Sequence, residues 1–487
     1  LRSWLRCRRK AWLDRHGDVN QRRWTAHRNL LLDDQQRSFV ALLPHKPGHG
    51  VAACAAGEDG VVGLRLKGAG PSGERVEAHP PLLLRVAGQS RWGPFAYQPV
   101  LARQGRRITR EHQLPLALMG HLLETYQASP VPELLVLGGG GRRLERERIR
   151  LTSGLRKQLS DALRKLKADL ERPQPPSLAA DRRKCTLCSW RESCSRVAAA
   201  DGHLSEVSGI GAKRRDMLQE LGIHGLNDLA SANPERLAVE MERFGEQHGD
   251  VARALVAQAM AQRDGLVERL DGTPALPELQ GAPGVLLYDI ESDPDARHDF
   301  LHGFLRLPRQ SDGRWDLAAA TYHPLLVMAE HGEQRSWLRL QRLLSRYDGW
   351  PILHYGETET LSLRRLAQRQ GASDAQLRRL KRRLVDVHAR IRSHWRLPLG
   401  SYGLKSVAAW RGFHWSQPGV DGARALLWWR QWLGEGPKRR GSRHGLAWIF
   451  QYNQDDCRAT WAVAEWLLKE DDLLKSGPVL DQPTAGR

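Results

Sequence analysis

Two acidic segments of this chain carry residue types that bind divalent cations. The first, LLYDIES, contains Asp289 and Glu291, and the second, QYNQDDC, contains Tyr452 and Asp456. Carboxylates gathered at one place repel one another unless a cation neutralises them. Two divalent ions held by shared carboxylates are the usual machinery for cutting a phosphodiester. The sequence therefore predicts metal-assisted hydrolysis, provided that the fold brings the two segments together.

The elements expected around these residues place them suitably. Residues 285–288 are a short apolar run, which predicts a buried strand. Side chains alternate along a strand, so the two acids of the first segment point to the same side at its end. Residues 449–468 predict a helix, on which the tyrosine and the aspartate of the second segment, four positions apart, share a face.

A third segment, WPILHYGETE, lies between these two and has a short predicted strand followed by His354. The order Asp-x-Glu, a histidine-led loop with an acid five positions on, and Tyr-x-x-x-Asp resembles the DnaQ-like 3′–5′ exonucleases of the ribonuclease-H-like superfamily. In that family four carboxylates bind two metals, and the tyrosine helps to position the attacking water. The resemblance implies two Mg²⁺ or Mn²⁺ ions, a water-positioning role for Tyr452, and metal ligands at Asp289, Glu291, Glu359 and Asp456.

The match departs from the family pattern at its second motif, where Glu359 stands in place of the usual aspartate. The YprB-like subgroup commonly has such looser second motifs. Asp386 is a rival for the metal shell, although a surface acid on a helix or strand is the plainer interpretation. Asp455 and Asp456 could likewise be solvated helix charges. The three segments, each on the expected element and in the expected order, favour the nuclease interpretation.

Four of the six cysteines form a second pattern. Cys185, Cys188 and Cys194 follow C-x2-C-x5-C, and Cys7 lies far upstream. In a chain of cytosolic character, a close cysteine triplet favours a metal or cluster site over a disulfide framework. Zinc is the ordinary partner of a C-x2-C pair, and three close cysteines with a distant fourth also suit a 4Fe–4S cluster.

The cysteine arrangement and the opening LRCRRKAWLDRHGD resemble the iron–sulfur RecB-like nuclease domains of the PD-(D/E)XK superfamily. The resemblance implies a 4Fe–4S cluster, with zinc as the alternative, held by one N-terminal and three C-terminal cysteines. Where that family has an acid-x-Lys motif on a strand, this chain has Gln98-Pro99-Val100, which offers neither a metal ligand nor a lysine. We therefore expect residues 1–200 to form a restriction-endonuclease-like α/β domain that has lost catalysis.

The segment VSGIGAKRR, residues 207–215, resembles a helix-hairpin-helix. Gly209 and Gly211 allow a tight backbone turn, and the free N–H groups at the next helix start can hold a phosphate. Positive charge at that point comes from Lys213, Arg214 and Arg215. Such contacts read no bases. Residues 201–270 are thus expected to form a small helical nucleic-acid-binding region, with a purely structural turn as the alternative.

Composition agrees with a nucleic-acid partner. The 487 residues include 75 Lys and Arg against 55 Asp and Glu, a formal net charge of +20, and such an excess favours polyanions. The length predicts two to four domains. No apolar stretch approaches ~20 residues and no signal peptide is visible, so a cytoplasmic protein without a membrane partner is expected. Many of the 17 tryptophans lie in helical contexts, where core packing is the plainer interpretation.

The whole order resembles a bacterial family of RecB-like nucleases with a C-terminal RNase H-like domain. The fold expected is α/β and multidomain, with an RNase H-like mixed-sheet domain over residues 282–470 and a disordered tail over 471–487. Residues 434–445 are expected to form a mobile basic loop, and 271–284 a linker. The function expected is a metal-dependent 3′–5′ exonuclease acting on DNA in repair or processing. The alternatives are a non-catalytic nucleic-acid-binding scaffold and an RNA-directed exonuclease.

Overall fold

The computed structural model describes residues 1–103, 107–138, 145–179, 182–293, 298–328, 332–435 and 442–475. The chain divides into two compact units, Leu1–Arg196 (unit 1) and Val197–Arg487 (unit 2). Within the described ranges, no helix combines the length and the apolar character that a membrane crossing requires.

Unit 1 is built on a six-stranded mixed sheet in the order β1-β2-β5-β6-β7-β8, beside a separate β3–β4 hairpin. The strands are β1 (Gly48–His49), β2 (Gly60–Val62), β3 (Leu66–Ala69), β4 (Arg75–Ala78), β5 (Leu82–Val86), β6 (Ala96–Arg103), β7 (Glu133–Gly138) and β8 (Glu145–Arg150). The helices are α1 (Arg2–Arg6), α2 (Arg8–His16), α3 (Ala26–Leu42), α4 (Gly50–Ala56), α5 (Arg110–Gln127), α6 (Ser153–Leu170) and α7 (Arg191–Ala200), the last of which contains the boundary.

The centre of this sheet follows a simple path. Strands β5 and β6 are antiparallel, and helix α5 then carries the chain back so that β7 runs parallel to β6. The sheet is covered on both faces, by α5 and α6 on one side and by α3 on the other. Neighbouring residues such as Val100 and Leu101 accordingly pack into different cores, which explains the nearly continuous apolar sequence of β6 and β7.

Unit 2 begins with a helical region. Its helices are α8 (Ala212–Glu220), α9 (Leu226–Ala230), α10 (Pro234–Glu242), α11 (Glu246–Gly249) and α12 (Ala252–Asp264). Leu218, Leu229 and Leu255 are buried at their shared core, as the helical spacing of apolar residues predicts. Ahead of α8 lies only a short 3₁₀ turn, Leu204–Glu206, rather than a full helix.

The rest of unit 2 is organised by a five-stranded mixed sheet in the order β12-β11-β10-β13-β14. The strands are β9 (Glu268–Arg269), β10 (Gly284–Asp293), β11 (His298–Pro308), β12 (Thr321–Leu326), β13 (Ile352–His354), β14 (Leu384–Asp386) and β15 (Trp395–Arg396), with β9 and β15 paired apart from the main sheet. The first three strands of the main sheet are antiparallel, and β13 and β14 run parallel to β10.

Seven helices accompany this sheet among the described residues. They are α13 (Gly332–Arg346), α14 (Glu357–Arg369), α15 (Asp374–Arg383), α16 (Val387–His394), α17 (Leu404–Trp410), α18 (Gly422–Glu435) and α19 (Ser442–Lys475). Alternation along β10 divides the core: Val285 and Leu287 pack towards α19, whereas Leu286 and Tyr288 pack towards α13 and α14. Five of the tryptophans on α18 and α19 are buried, as the packing interpretation predicts; Trp448 is 48% exposed.

Two boundary predictions need correction. The predicted linker is packed, because Leu276 and Leu279 are 1% and 2% exposed and belong to the core beside α19. The predicted disordered tail does not begin at residue 471, because α19 continues to Lys475. The Asp471 carboxylate fixes these last turns by accepting hydrogen bonds from the Arg269 side chain and from the backbone N–H groups of Ala275 and Leu276, in the segment predicted as a linker. The rest of the tail, 476–487, and residues 436–441 of the predicted basic loop lie outside the described residues.

Candidate functional site

Three carboxylates from the two acidic segments meet in unit 2. One oxygen of each of Asp289, Glu291 and Asp456 lies within 4.8 Å of the other two. Glu291 and Asp456 are buried, whereas Asp289 is partly exposed. In the part of the chain that the structure describes, no other group of three acidic, histidine or cysteine ligand atoms lies this close together. We call these three residues the carboxylate triad.

Strand and helix geometry explain why the triad forms. Leu287 of β10 points towards α19, and alternation puts Asp289 and Glu291 on the same face where the apolar run ends. Helix α19 lies against that face, with the Cys457 Sγ 3.5 Å from the Leu287 carbonyl oxygen. Asp456 precedes Cys457 and thus meets the end of the strand.

Burial makes the triad difficult to ionise. Burial first, and then the charges of Asp456 and Glu291, raise the pKa of Asp289 well above its usual range. Burial and the charge of Asp456 do the same for the pKa of Glu291. Burial raises the pKa of Asp456 to about 6, although a hydrogen bond from Trp415 and the charge of Lys405 oppose the shift. Full ionisation of three such neighbours requires a compensating cation.

Asn453 holds Asp289 in place. Its Nδ2 donates to Asp289 Oδ2 at 2.6 Å, and its Oδ1 accepts from the Tyr322 hydroxyl at 2.7 Å. A Cβ at Gly303 of β11 would lie 1.6 Å from that Oδ1, so residue 303 must be glycine while Asn453 occupies this position. The sequence interpretation missed Asn453, although its place three residues before Asp456 on the predicted helix was a usable signal.

The segment after α17 supports Asp456. The Trp415 Nε1 donates to Asp456 Oδ1 at 2.7 Å. Ser416 is fixed in turn by Asp455, whose Oδ2 accepts from the Ser416 backbone N–H at 2.9 Å and from its hydroxyl. Asp455 and Asp456 are 3% and 7% exposed, so neither is a solvated helix charge. No pattern in the sequence marks Trp415 as part of the site.

Tyr452 and Lys405 lie at the edge of the triad. The Tyr452 hydroxyl hydrogen-bonds to the Asp456 carboxylate, and burial raises the pKa of Tyr452 far above its usual value, so the phenol stays protonated. The Lys405 Nζ lies 5.0 Å from the centre of the Tyr452 ring and donates to the Val420 carbonyl at 2.6 Å. Its charge lowers the pKa of Glu291 and of Asp456. Lys405 thus contributes a cation beside the carboxylates.

Glu359, the fourth predicted ligand, lies near the triad but outside its 4.8 Å grouping. It is in the first turn of α14 and is 9% exposed. Burial, and then the charges of Asp386 and Asp456, raise the pKa of Glu359 to about 7. Its Oε2 is buried without a hydrogen-bond partner among the described residues. Such an oxygen is costly to bury, and coordination of a cation would satisfy it.

Asp386, the rival acid, has a structural role that the surface interpretation did not anticipate. It is the N-cap of α16, where its Oδ1 accepts from the backbone N–H of Ala389 at 3.2 Å. The same oxygen accepts from the N–H of Gly356 at 3.0 Å. Gly356 immediately precedes α14 and also bonds, through its carbonyl, to His354 Nδ1 at 2.8 Å. Asp386 therefore fixes the loop that leads to Glu359.

The four cysteines of the second pattern line one small cavity in unit 1. The cavity has a volume of about 30 Å³, and the cysteines that line it are Cys7, Cys185, Cys188 and Cys194. All four sulfurs are in the described part of the chain, and no three of them lie within 4.8 Å of one another. Five basic side chains also border the cavity: Arg6, Arg9, Lys10, Arg182 and Arg191. Burial raises the pKa of Cys185 and of Cys194.

The predicted hairpin residues divide into two kinds. Gly209 has φ +89°, which favours glycine, and Gly211 is the N-cap of α8. The Arg214 Nη1 donates to the Gly209 carbonyl at 2.8 Å, and Arg215 pairs with the aspartate that follows it. Lys213 is exposed and has no ion-pair partner among the described residues. Of the three basic residues, Lys213 is therefore the one whose charge is available to a ligand.

The raised pKa values predict how stability depends on pH. Unfolded carboxyls titrate near pH 4. In the folded protein the pKa is about 6 for Asp456 and about 7 for Glu359. From about pH 4 up to these values, the folded protein therefore binds more protons than the unfolded chain. Protein free of divalent ions should therefore lose stability as the pH rises through this window. We expect Asp456→Asn to raise its free energy of unfolding at pH 8 by about 1–3 kcal/mol, with a smaller gain at pH 5.

Urea unfolding of the ion-free protein at both pH values measures this effect. Glu465→Gln is the matched control, because Glu465 is 39% exposed on the same helix and pairs with Lys469. It should change the free energy of unfolding by less than about 0.5 kcal/mol at either pH. A gain from Asp456→Asn that is no larger at pH 8 than at pH 5 would contradict the prediction.

Part of the chain matches a known protein-family model. Residues 286–468 match the family model described as the RNase_H superfamily. No curated protein matches the chain in sequence. The matched range contains the whole carboxylate triad and Glu359, and most of the five-stranded mixed sheet. The C-terminal part of this protein is therefore an RNase H-like domain, which indicates a nuclease-type enzyme that hydrolyses phosphodiester bonds in a nucleic acid.

Proposed function

We propose that this protein is a metal-dependent nuclease, a 3′–5′ exonuclease that hydrolyses DNA in repair or processing. The observation that carries the proposal is the carboxylate triad of Asp289, Glu291 and Asp456, with oxygens within 4.8 Å of one another. Its place in an RNase H-like domain supports phosphodiester hydrolysis. The net charge of +20 supports a polyanionic substrate.

The residues at the site fit divalent cations. All the donor atoms are carboxylate oxygens, the ligands that Mg²⁺ and Mn²⁺ prefer. The raised pKa values of Asp289 and Glu291 express burial first and then repulsion by neighbouring carboxylates, and bound cations would offset both. We assign these two and Asp456 as ligands, with Glu359 as the fourth through its unpartnered Oε2. Bound Mg²⁺ or Mn²⁺ would activate water and stabilise the charge that develops on the phosphate.

The chain's own residues orient the substrate and the water. Asn453 and Trp415 each hold one carboxylate by a hydrogen bond, so the triad is fixed before substrate arrives. Tyr452 keeps its proton, so its hydroxyl can orient a water molecule beside Asp456. Lys405 supplies a positive charge at the edge of the triad, where a phosphate oxygen of the bound strand can meet it.

The test is cleavage of labelled strands by the purified full chain with Mg²⁺ or Mn²⁺. Single- and double-stranded DNA and RNA of one sequence, each labelled at the 5′ or the 3′ end, would give the substrate and the polarity. Release of mononucleotides from the 3′ end of DNA is the expected result. Faster degradation of RNA would support the RNA-directed alternative. Binding of the strands without cleavage under every metal condition would refute the nuclease proposal. That result would support the alternative, a non-catalytic nucleic-acid-binding scaffold.

We infer a second contribution from the helical region of unit 2, where Gly209 and Gly211 form a tight turn ahead of α8. Free N–H groups at the start of α8 and the exposed Lys213 suit a phosphate of the nucleic-acid backbone. Arg214 is engaged with the turn itself. The contact would therefore be sequence-independent and would depend mainly on one side chain.

Lys213→Ala should weaken duplex binding equally on unrelated sequences of one length. The slope of log affinity against log salt should fall by about 0.9 for the single lost phosphate contact. Fluorescence anisotropy over a salt series measures both quantities. Lys469→Ala is the control, because Lys469 is 69% exposed on α19. A salt slope that is unchanged in Lys213→Ala would mean that the hairpin is structural, and a loss confined to one sequence would mean that it reads bases.

For unit 1 we propose a RecB-like domain that holds a 4Fe–4S cluster. The antiparallel β5–β6 pair, helix α5 and the parallel strand β7 are the order expected of a restriction-endonuclease-like sheet. The four cysteines line one cavity, as ligands of a single shared group must. The choice of a 4Fe–4S cluster rests on the resemblance of the cysteine pattern to that of the RecB-like domains, with zinc as the alternative. The basic border of the cavity suits the negative charge of such a cluster.

The same unit is proposed to be catalytically silent. Gln98, Pro99 and Val100 lie within β6, where the acid-x-Lys motif would stand. Val100 is completely buried in the core that faces α3. The described residues of unit 1 contain no group of three acidic, histidine or cysteine ligand atoms within 4.8 Å. Hydrolysis is therefore assigned to unit 2.

A further inference from the structure

One large cleft of unit 1 is strongly basic. It has a volume of about 900 Å³ and lies among α1, α2, the start of α3 and the start of α5. Seven lysine and arginine side chains line it, against the two acids Asp14 and Glu111. Neither acid forms part of a three-ligand group, so the described lining offers no metal site.

Most of this positive charge is not neutralised within the protein. Four of the lining arginines have no carboxylate within 4.0 Å among the described residues: Arg2, Arg6, Arg28 and Arg107. Burial lowers the pKa of Arg2; the charge of Glu111 opposes this shift, and the like charge of Arg6 adds to it. Concentrating like charges in a concave site is unfavourable unless an anion joins them. The cleft is thus electrostatically suited to a polyanion.

An aromatic side chain stands among these charges. Trp24 lines the cleft and is 55% exposed, between Arg23 and Thr25 in a segment that leads into α3. Basic side chains that follow a phosphate backbone, together with an exposed aromatic ring on which a base can stack, are the means by which proteins hold single strands. A membrane surface or an acidic peptide would use the charge but would give the indole no base to stack on.

We propose that this cleft binds a single strand of nucleic acid, with the arginines on its phosphodiesters and the Trp24 indole stacked on a base. The volume of the cleft is near the upper end of the range for small-molecule pockets. A cleft of this size accepts a few nucleotides of one strand and not a duplex. Binding here requires no catalysis by unit 1. The proposal is also independent of the triad, because it concerns retention of a strand and not its cleavage.

The experiment measures binding by the full chain with Asp289→Asn in every sample, so that no strand is cut. The probes are fluorescent oligothymidylate, an abasic strand of equal length, and a duplex. Arg28→Ala with Arg107→Ala should lower the salt slope for oligothymidylate by about 1.4, at about 0.7 per lost phosphate contact. Trp24→Ala should weaken oligothymidylate binding by about 5- to 160-fold. Binding of the abasic strand should be unchanged, because that strand has no base to stack on the indole.

The matched control is Arg75→Ala with Arg146→Ala, which removes the same charge from exposed strand positions outside the cleft. It should leave the salt slope for oligothymidylate within error of the parent. A strand with one 5-iodouridine should crosslink to the peptide that contains Trp24. The proposal would be overturned if the control lowered the salt slope as much as Arg28→Ala with Arg107→Ala does. It would also be overturned if Trp24→Ala weakened binding of the abasic strand as much as binding of oligothymidylate, or if the crosslinks lay only in unit 2. Unaltered thermal unfolding and visible absorbance of the variants would establish that unit 1 is intact.

Discussion

Asparagine in place of Asp289 or Asp456 is expected to slow strand cleavage at least about a thousandfold, or about 4 kcal/mol of transition-state stabilisation. The substitution keeps the shape of the side chain, and an amide oxygen at position 456 can still accept from Trp415. The loss therefore reports the missing charge that holds the cation. Cleavage of end-labelled strands with Mg²⁺ or Mn²⁺ measures the rate, and electron paramagnetic resonance of Mn²⁺ measures the bound ion.

Glu465→Gln serves as the control here too, because it removes a carboxylate from the exposed side of the same helix. Its cleavage rate should stay within about twofold of the parent, as expected for a surface change. Full activity in Asp289→Asn would refute the assignment of the triad. Residual metal-dependent cleavage in the double variant Asp289→Asn, Asp456→Asn would show instead that unit 1 retains catalysis of its own.

Serine in place of Cys7 is expected to remove the proposed iron–sulfur cluster and to destabilise unit 1. Cys7 comes from the first turns of the chain, whereas its three partners lie 178 or more positions later. A cluster that joins these segments closes a very long loop, so its loss should lower the free energy of unfolding by about 4 kcal/mol or more. Iron content, absorbance near ~400 nm and urea unfolding after anaerobic purification measure the change.

Cys54→Ser is the matched control, because Cys54 is completely buried in unit 1 yet lies outside the cysteine cavity. It should cost some packing energy and leave the iron content unchanged. Stoichiometric zinc without iron in the parent protein would mean that the cysteines bind zinc and not an iron–sulfur cluster. A Cys7→Ser protein with unchanged metal content would remove Cys7 from the ligand set altogether.

The sequence was sufficient to identify the triad segments because their geometry is local. Alternation along one strand sets the relation of Asp289 to Glu291, and the rise of one helix sets that of Tyr452 to Asp456. The apolar residues that precede Asp289 face the core, which dictates the face on which the acids emerge. The local relations need no knowledge of distant neighbours. That the strand and the helix meet was implied only by the resemblance of the three segments, in their order, to the DnaQ-like family.

The roles that the sequence could not assign belong to residues whose partners are far away along the chain. Trp415 lies 41 positions from Asp456, and Lys405 reaches the triad only because α17 packs beside α19. Asp386 reads as an ordinary surface acid until β13 and β14 pair and bring it to Gly356. Glu359 shows the same limit, since only the packed structure places it beside the triad while leaving its Oε2 unpartnered.

Charge follows the same division. Composition alone indicates a polyanionic partner, because net charge is a sum and does not depend on the fold. Only the tertiary structure separates the engaged Arg214 from the exposed Lys213, and only it gathers Arg2, Arg28 and Arg107 into one cleft. Local periodicity is encoded over a few residues, whereas the identity of a site depends on contacts between segments that the chain separates by 30 residues or more.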